Sequence, residues 1–226
     1  MTGNAVLIPG LGGTADCWSH IFLEILSSSF TIKSLPLPES GTTIGEYASE
    51  LEPSTRPDLL LGFSAGAAAV QEILAENPLA AKKAVLLAPP AGYDYPPSPP
   101  DTHDFTEGRG RWSVKMLEMM FTPKWLADHP DVSSYFPRVK NPVSGETLIR
   151  QSNAIEDWAG CLDRLKNVSI PVLIIAGEHD MITPPVHAEA IHKSLCNSQL
   201  EMMNTGHGFP WQCPAETAKK ILEFVN

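Results

Sequence analysis

Short apolar runs recur along the chain without alternating with polar residues: Asn4–Pro9, Phe30–Leu35, Asp58–Phe63, Lys83–Ala88, Pro171–Ala176 and Gln199–Asn204. Brief runs of this kind, rich in Leu and β-branched residues, predict strands covered on both faces. Between them the period lengthens to that of a helix. Trp18, Ile21, Phe22, Ile25 and Leu26 fall at i, i+3, i+4, i+7 and i+8, and Ala218, Ile221, Leu222 and Val225 repeat the spacing near the C-terminus. Thr183-Pro184 reads as an N-cap followed by proline at the first helical position. Strand–helix alternation predicts an α/β fold, a mostly parallel sheet of about six strands with helices on both faces.

The alternation stops between residues 91 and 165. Six of the 21 prolines crowd its start, at Pro89, Pro90, Pro96, Pro97, Pro99 and Pro100, where neither a helix nor a central strand can run. Helical patterns follow at Val114–Phe121, Pro123–Asp128 and Gly145–Leu165, with no clear strand among them. The simplest account is a helical insertion after the fourth strand. It divides the chain into a core of residues 1–90 and 166–226 and an inserted cap of residues 91–165.

Length and composition narrow the function. A chain of 226 residues with 43% hydrophobic and 19% charged residues can build one sizeable core. The net charge of −10 is spread along the chain, and a surface this acidic makes nucleic acid and membrane surfaces poor partners. Cys17, Cys161, Cys196 and Cys213 form no CxxC pair and no zinc spacing, so they read as isolated thiols of a reducing compartment. The N-terminus has no basic n-region, and no run reaches the ~18–20 apolar residues of a membrane span. The expectation is a cytoplasmic monomer or homodimer.

Three strand ends carry chemistry. The third strand leads into Gly62-Phe63-Ser64-Ala65-Gly66 and then a helix. A serine on a sharp strand-to-helix turn has a strained backbone, and glycines at −2 and +2 give it room. The turn exposes the hydroxyl and aims the Ala65 N–H, at a helix N-terminus, toward an oxyanion formed there. A serine hydroxyl needs a base, and the base needs an orienter. The fifth strand ends in Glu178-His179-Asp180 and the sixth in Thr205-Gly206-His207-Gly208-Phe209. Asp180 and His207 would share the rim with Ser64, in the order Ser…Asp…His. Glu178 is the second candidate for the acid. His187 and His192 are five apart, which puts them on different helix faces and argues against a metal. His20, His103 and His129 have no partner pattern and are expected in solvent.

The first strand ends Pro9-Gly10-Leu11-Gly12-Gly13-Thr14-Ala15, which also fits a dinucleotide fingerprint. That fingerprint needs an acid at the end of the second strand, about 20 residues on. None occurs before Glu39. A glycine loop presenting the Leu11 N–H beside that of Ala65 fits better.

These segments resemble the α/β-hydrolase superfamily, in its capped short-chain esterase and lactonase branch. Gly10 to Trp18 is similar to the family's oxyanion loop and following helix, and Leu35–Gly41 to its Asp-Leu-Pro-Gly-x-Gly loop. Thr43–Ala48 resembles the helix before the nucleophile strand, and Gly177–Asp180 and Gly206–Gly208 match the acid and base segments. The resemblance implies Ser64 as nucleophile, His207 as base, Asp180 as orienter, and Leu11 and Ala65 as oxyanion donors. The chain starts at the family's third strand, so the two leading antiparallel strands are expected to be absent. It departs from the family pattern with Pro9 and Phe63, where histidines are usual, and in lacking the aspartate of the second-strand loop.

The insertion is rich in Trp112, Met116, Met119, Met120, Phe121, Trp125 and Trp158. Most are expected to seat helices on the core. Met120 and Trp158, with Phe63 and Phe209 beside the site residues, are the candidates for substrate contact. Arg109 and Arg111 could bind an anionic substrate only if the cap folds over the site. The expected function is hydrolysis of a small-to-medium apolar carboxylic ester, with no metal or organic cofactor. The same three residues could also serve thioester, C–C bond or lyase chemistry, or a ligand-binding protein that does not hydrolyse. No Lys or Arg lies in the motif loops, which counts against a lyase.

Overall fold

The six strands form one all-parallel sheet in the order β2-β1-β3-β4-β5-β6. They are β1 (Gly3–Ile8), β2 (Phe30–Ser34), β3 (Leu59–Phe63), β4 (Lys83–Leu87), β5 (Val172–Gly177) and β6 (Ser198–Met203), each within about one residue of the sequence expectation. The structure, a computed structural model, describes residues 2–95 and 109–226, and of residues 109–114 only the backbone. Prolines 96, 97, 99 and 100, His103, and the side chains of Arg109, Arg111 and Trp112 therefore lie outside the described residues.

Both faces of the sheet are covered. In β1, Val6 and Ile8 point to one core and Ala5 and Leu7 to the other; in β3, Leu60 opposes Leu59 and Leu61. The first face packs α2 (Ile44–Leu51), α3 (Ala65–Glu76), α7 (Leu162–Leu165) and α8 (Pro185–Ser194). The second packs α1 (His20–Ser27), α9 (Phe209–Gln212) and α10 (Pro214–Val225). Each fully buried Leu or Ile on these faces is worth ~1.5–3 kcal/mol relative to exposure.

The helix signals hold with three adjustments. α1 begins at His20, so Trp18 lies before it, buried and stacked on Phe22 at 5.5 Å between ring centroids. Ile21 is 50% exposed, leaving a narrower buried stripe of Phe22 and Leu26. At α8 the N-cap is Pro184 and Pro185 takes the first helical position, one residue later than expected. The Thr183 hydroxyl is engaged elsewhere. By contrast, α2 carries a complete capping box: Thr43 Oγ1 accepts the Glu46 N–H, and the Glu46 carboxylate accepts the Thr43 N–H, both at 3.2 Å.

Between β4 and β5 the described chain forms α4 (Arg109–Met120), α5 (Pro123–Asp128), a 3-10 turn (Val132–Tyr135) and α6 (Gly145–Glu156), followed by α7. The pattern expected over Gly145–Leu165 is split into α6 and α7 at Gly160. Gly160 (φ 85°) and Gly92 (φ 119°) meet backbone to backbone. A Cβ on Gly160 would lie 2.2 Å from the Ala91 carbonyl oxygen, and one on Gly92 would lie 2.3 Å from that of Ala159. The Tyr93 N–H donates to the Trp158 carbonyl oxygen at 3.0 Å, so the segment leaves and rejoins the core at one place. Trp158 Nε1–H donates to Glu72 of α3 at 2.8 Å, and Arg164 pairs with Glu72 and Glu76, both at 2.6 Å. His129, expected in solvent, is half-buried and stacks on Trp125 at 4.2 Å, with Nδ1 2.7 Å from the Trp125 carbonyl oxygen.

Two substitutions probe this packing. Thr43→Ala removes one half of the capping box and should lower the unfolding free energy by about 1 kcal/mol. This reads as a lower urea midpoint at unchanged slope. Gly66→Ala would place a Cβ 2.3 Å from the Ile8 carbonyl oxygen, between β1 and α3. It should cost at least the ~1–3 kcal/mol of core overpacking, read in the same titration.

Candidate active site

Parallel strands put all their carboxyl ends on one rim, and three loops there carry the singled-out residues. Ser64 follows β3 with φ 53° and ψ −120°, a backbone region that side-chain-bearing residues rarely occupy. Such a conformation costs ~1–3 kcal/mol, so neighbours must hold it. Its N–H donates to the Leu87 carbonyl oxygen at 2.9 Å, and its carbonyl oxygen accepts from Ala67 at 2.8 Å and Ala68 at 3.2 Å. The flanking glycines permit the turn. A Cβ on Gly62 would sit 2.4 Å from the Gly66 carbonyl oxygen, and Gly66 lies against the carbonyls of Ile8 and Pro9.

The loop after β1 runs beside this turn: a Cβ on Gly10 would approach that of Ser64 to 3.1 Å. The loop closes as a turn, with Gly13 N–H donating to the Gly10 carbonyl oxygen at 2.9 Å and Gly12 at φ +68°. The Gly12 N–H donates to Gln151 Oε1 at 3.0 Å. With these two amides engaged, the Leu11 N–H, like that of Ala65 at the start of α3, donates to no acceptor among the described residues.

Asp180 and His207 form a buried pair. His207 Nδ1 lies 2.8 Å from Asp180 Oδ2, with the two side chains 4% and 0% exposed. Asp180 Oδ1 accepts the Ile182 and Thr183 N–H groups, each at 2.8 Å. Thr183 Oγ1 lies 3.0 Å from Asp180 Oδ2, 3.1 Å from the Ala88 carbonyl oxygen and 3.2 Å from His207 Nδ1. Its single proton serves one acceptor at a time. Burial makes an unpaired carboxylate costly, and these donors offset that cost. A carboxylate that accepts Nδ1–H fixes the tautomer and leaves Nε2 with the lone pair. Among the described residues Ser64 and His207 make no hydrogen bond to each other. In unliganded sites such bonds are often long and tighten around a substrate. Glu178 is exposed, and its neighbour His179 binds Asn204 at 2.9 Å, so the burial and bonding favour Asp180 as the partner.

The histidine loop rests on the segment between β4 and β5. Gly208 N–H donates to the Met120 carbonyl oxygen at 2.7 Å, and a Cβ on Gly208 would meet the Phe121 ring at 2.6 Å. Under His207 lies an aromatic layer: Phe63 is 5.0 Å from its ring, 5.2 Å from Trp211 and 6.5 Å from Phe209. Phe63 is 4% exposed and Phe209 fully enclosed, so they pack beneath the site and offer substrate no face as the structure stands. The Trp158 indole is committed to Glu72, about two turns along α3 from Ser64. Only Met120 of the four substrate-contact candidates remains half-exposed beside the loops.

Three further residues shape the site without a motif to mark them. Thr183 signalled a helix cap but braces Asp180 instead. Ala88, at φ 46°, is a second strained turn after β4, with nothing in its type to single it out. Gln151 stands on the buried face of α6 with Thr147 and Ala154. The other buried residues of α6 include Thr147 and Ser152, so no local pattern set this glutamine apart.

Among the described residues no group of three or more His, Cys, Asp or Glu could hold a metal ion, and no helix is long and apolar enough to cross a membrane.

A Gly-x-Ser-x-Gly turn, an enclosed Asp–His pair and a parallel sheet presenting both on one rim define the α/β-hydrolase class. Residues 5–220 match the model of the alpha/beta hydrolase family, and the chain belongs to that family. It is 24% identical to a pyrrolizixenacetamide deacetylase of Xenorhabdus hominickii over 97% of this chain and 90% of that protein. The fold is similar to the enol-lactonase of Burkholderia xenovorans LB400, with a TM-score of 0.83 at 17% identity, covering 100% of this chain and 92% of that one. It is also similar to a thermophilic esterase of Thermogutta terrifontis, with a TM-score of 0.76 at 19% identity over 99% and 90%.

The thiols offer no rival nucleophile in the core. Burial pushes Cys17 and Cys161 up to about 12 and Cys213 up to about 11, which leaves almost no thiolate at neutral pH. Cys196 alone is exposed. Native protein treated with iodoacetamide at pH 8 should take one fast label, at Cys196, and three more only after denaturation; peptide mapping checks the site.

Proposed function

We propose that the protein is a serine hydrolase that cleaves a small-to-medium apolar carboxylic ester through an acyl-enzyme on Ser64. The observation that carries this reading is the enclosed Asp180–His207 pair at 2.8 Å, on the rim of a serine held at φ 53°. Ser64 Oγ attacks the ester carbonyl while His207 Nε2 takes its proton. The tetrahedral oxyanion is received by the N–H groups of Leu11 and Ala65. His207 returns the proton to the departing alcohol, water attacks the acyl-enzyme with His207 again as base, and the acid is released with Ser64 regenerated. Asp180 holds the imidazole and stabilises its cationic form. In this reading the helical segment between β4 and β5 acts as a cap, and the reaction needs no metal or organic cofactor.

An apolar substrate is favoured by the loops themselves. No Lys or Arg lies at residues 9–15, 62–66, 178–183 or 205–209. Half-buried Leu11, Val143, Leu148 and Met120 lie on or against those loops. The activities named for its relatives, an esterase, a lactonase and a deacetylase, all include transfer of an acyl group to water.

A p-nitrophenyl ester series of increasing acyl length should give turnover with an optimum at short to medium chains. Ser64→Ala should abolish it at unchanged circular dichroism. Asp180→Asn should lower kcat by roughly 10⁴, because the amide favours the wrong imidazole tautomer. Saturable ligand binding by Ser64→Ala, with negligible turnover in the parent, would establish the non-hydrolytic ligand-binding alternative instead.

A further inference from the structure

We propose that Gln151 is a positioning residue for the oxyanion loop: it locks the Gly10–Gly13 turn in the conformation that presents the Leu11 N–H, and it ties that turn to the helical segment. The inference rests on the hydrolase reading above and names a residue that neither the family motifs nor the sequence spacing marks.

Gln151 lies on α6, is 1% exposed, and uses its whole amide. Oε1 accepts the Gly12 N–H at 3.0 Å. Nε2 has two hydrogens and two acceptors, the Leu37 carbonyl oxygen at 3.3 Å and that of Pro38 at 3.2 Å. One side chain thus joins the loop after β1 to the loop after β2. Leu37 and Pro38 are buried, so without Gln151 their carbonyls would lose their partner away from water.

The geometry of Gly12 is what makes this matter for chemistry. Gly12 has φ +68°, and a Cβ there would meet Leu148 Cδ1 of α6 at 2.9 Å. The turn is therefore held from the α6 side by one polar and one apolar contact. Gly12 N–H directed to Gln151 and Gly13 N–H directed to Gly10 leave the Leu11 N–H, like that of Gly10, with no protein acceptor among the described residues. A loop free to rotate about Gly12 would lose that direction, since glycine adopts positive and negative φ with similar ease. Two further contacts join this part of the chain to the core: Arg150 Nη1 of α6 donates to the Glu39 carbonyl oxygen, and in the segment leading to α6 the Lys140 N–H donates to Asp16 Oδ2 at 3.2 Å. A shift of α6 would reach the oxyanion loop through Gln151.

Gln151→Leu keeps the volume and removes every hydrogen bond. It should lower kcat by roughly 10-fold or more, short of the ~10²–10³ for losing an oxyanion donor outright, with KM within about threefold. Hydrogen–deuterium exchange of the peptide spanning Leu11 to Gly13 should speed up selectively. Arg164→Ala removes the α7 ion pairs to Glu72 and Glu76 and none of the Gln151 hydrogen bonds, so it should lower stability and leave kcat unchanged. Gln151→Glu tests the donor half. The introduced carboxylate would face two carbonyls when ionised, whereas its protonated form restores one donor. Its folded-state pKa is therefore raised above the ordinary ~4.3. The stability recovered by protonation is present at acid pH and lost as pH rises through the raised pKa. The Tm gap to the parent should narrow on acidification. Unchanged kcat in Gln151→Leu beside an active parent, or unchanged exchange in the loop, overturns the proposal. If the parent hydrolyses no ester, the proposed function fails by itself, and loop exchange alone decides whether Gln151 is the clamp.

Discussion

The backbone of Ser64 sits where a residue with a side chain is strained, and a large part of the fold serves to hold it there. Gly62 and Gly66 let β3, α3 and the end of β1 approach to distances no Cβ would allow. The hydrogen bonds to Leu87, Ala67 and Ala68 then fix the turn. The local strain costs ~1–3 kcal/mol, set against two extensively buried cores on the faces of the sheet. The result is a half-buried serine at the rim, followed by the unengaged Ala65 N–H and packed against the Gly10 turn.

The remaining site is arranged by burial rather than by strain. Asp180 is enclosed yet accepts hydrogen bonds on both oxygens, so its orientation is over-determined. That fixes His207, whose ring lies against Phe63 and whose loop is pinned by the Met120 carbonyl oxygen. The helical segment thus reaches the site at two points, through Met120 at the histidine loop and through Gln151 at the loop after β1. Its own ends are closed on one another at Gly92 and Gly160. Motion of the segment would therefore be felt at the residues proposed to do chemistry.

Most of the sheet was legible in the sequence because buried parallel strands need continuous apolar runs, and these six runs have little else to be. The three rim residues were legible because each follows such a run, and because glycine at residues 62, 66, 206 and 208 marks close approach. The pocket was not legible. Phe63 and Phe209 adjoin Ser64 and His207 in sequence, but strand and helix geometry turns them into the core. Trp158 looked like an aromatic available to ligand, yet its N–H is held by Glu72 across 86 residues of sequence. Gln151 and Thr183 act through tertiary contacts that no local period encodes.

In the proposed function Ser64 is an activated nucleophile whose activation depends on His207. Intact-mass measurement after reaction with a fluorophosphonate, followed by peptide mapping, tests it most directly in the parent and in His207→Ala. One adduct per chain in the parent, located on Ser64 and formed far more slowly in His207→Ala, is the predicted result. No adduct on the folded parent, or an adduct at another residue, would contradict this role for Ser64.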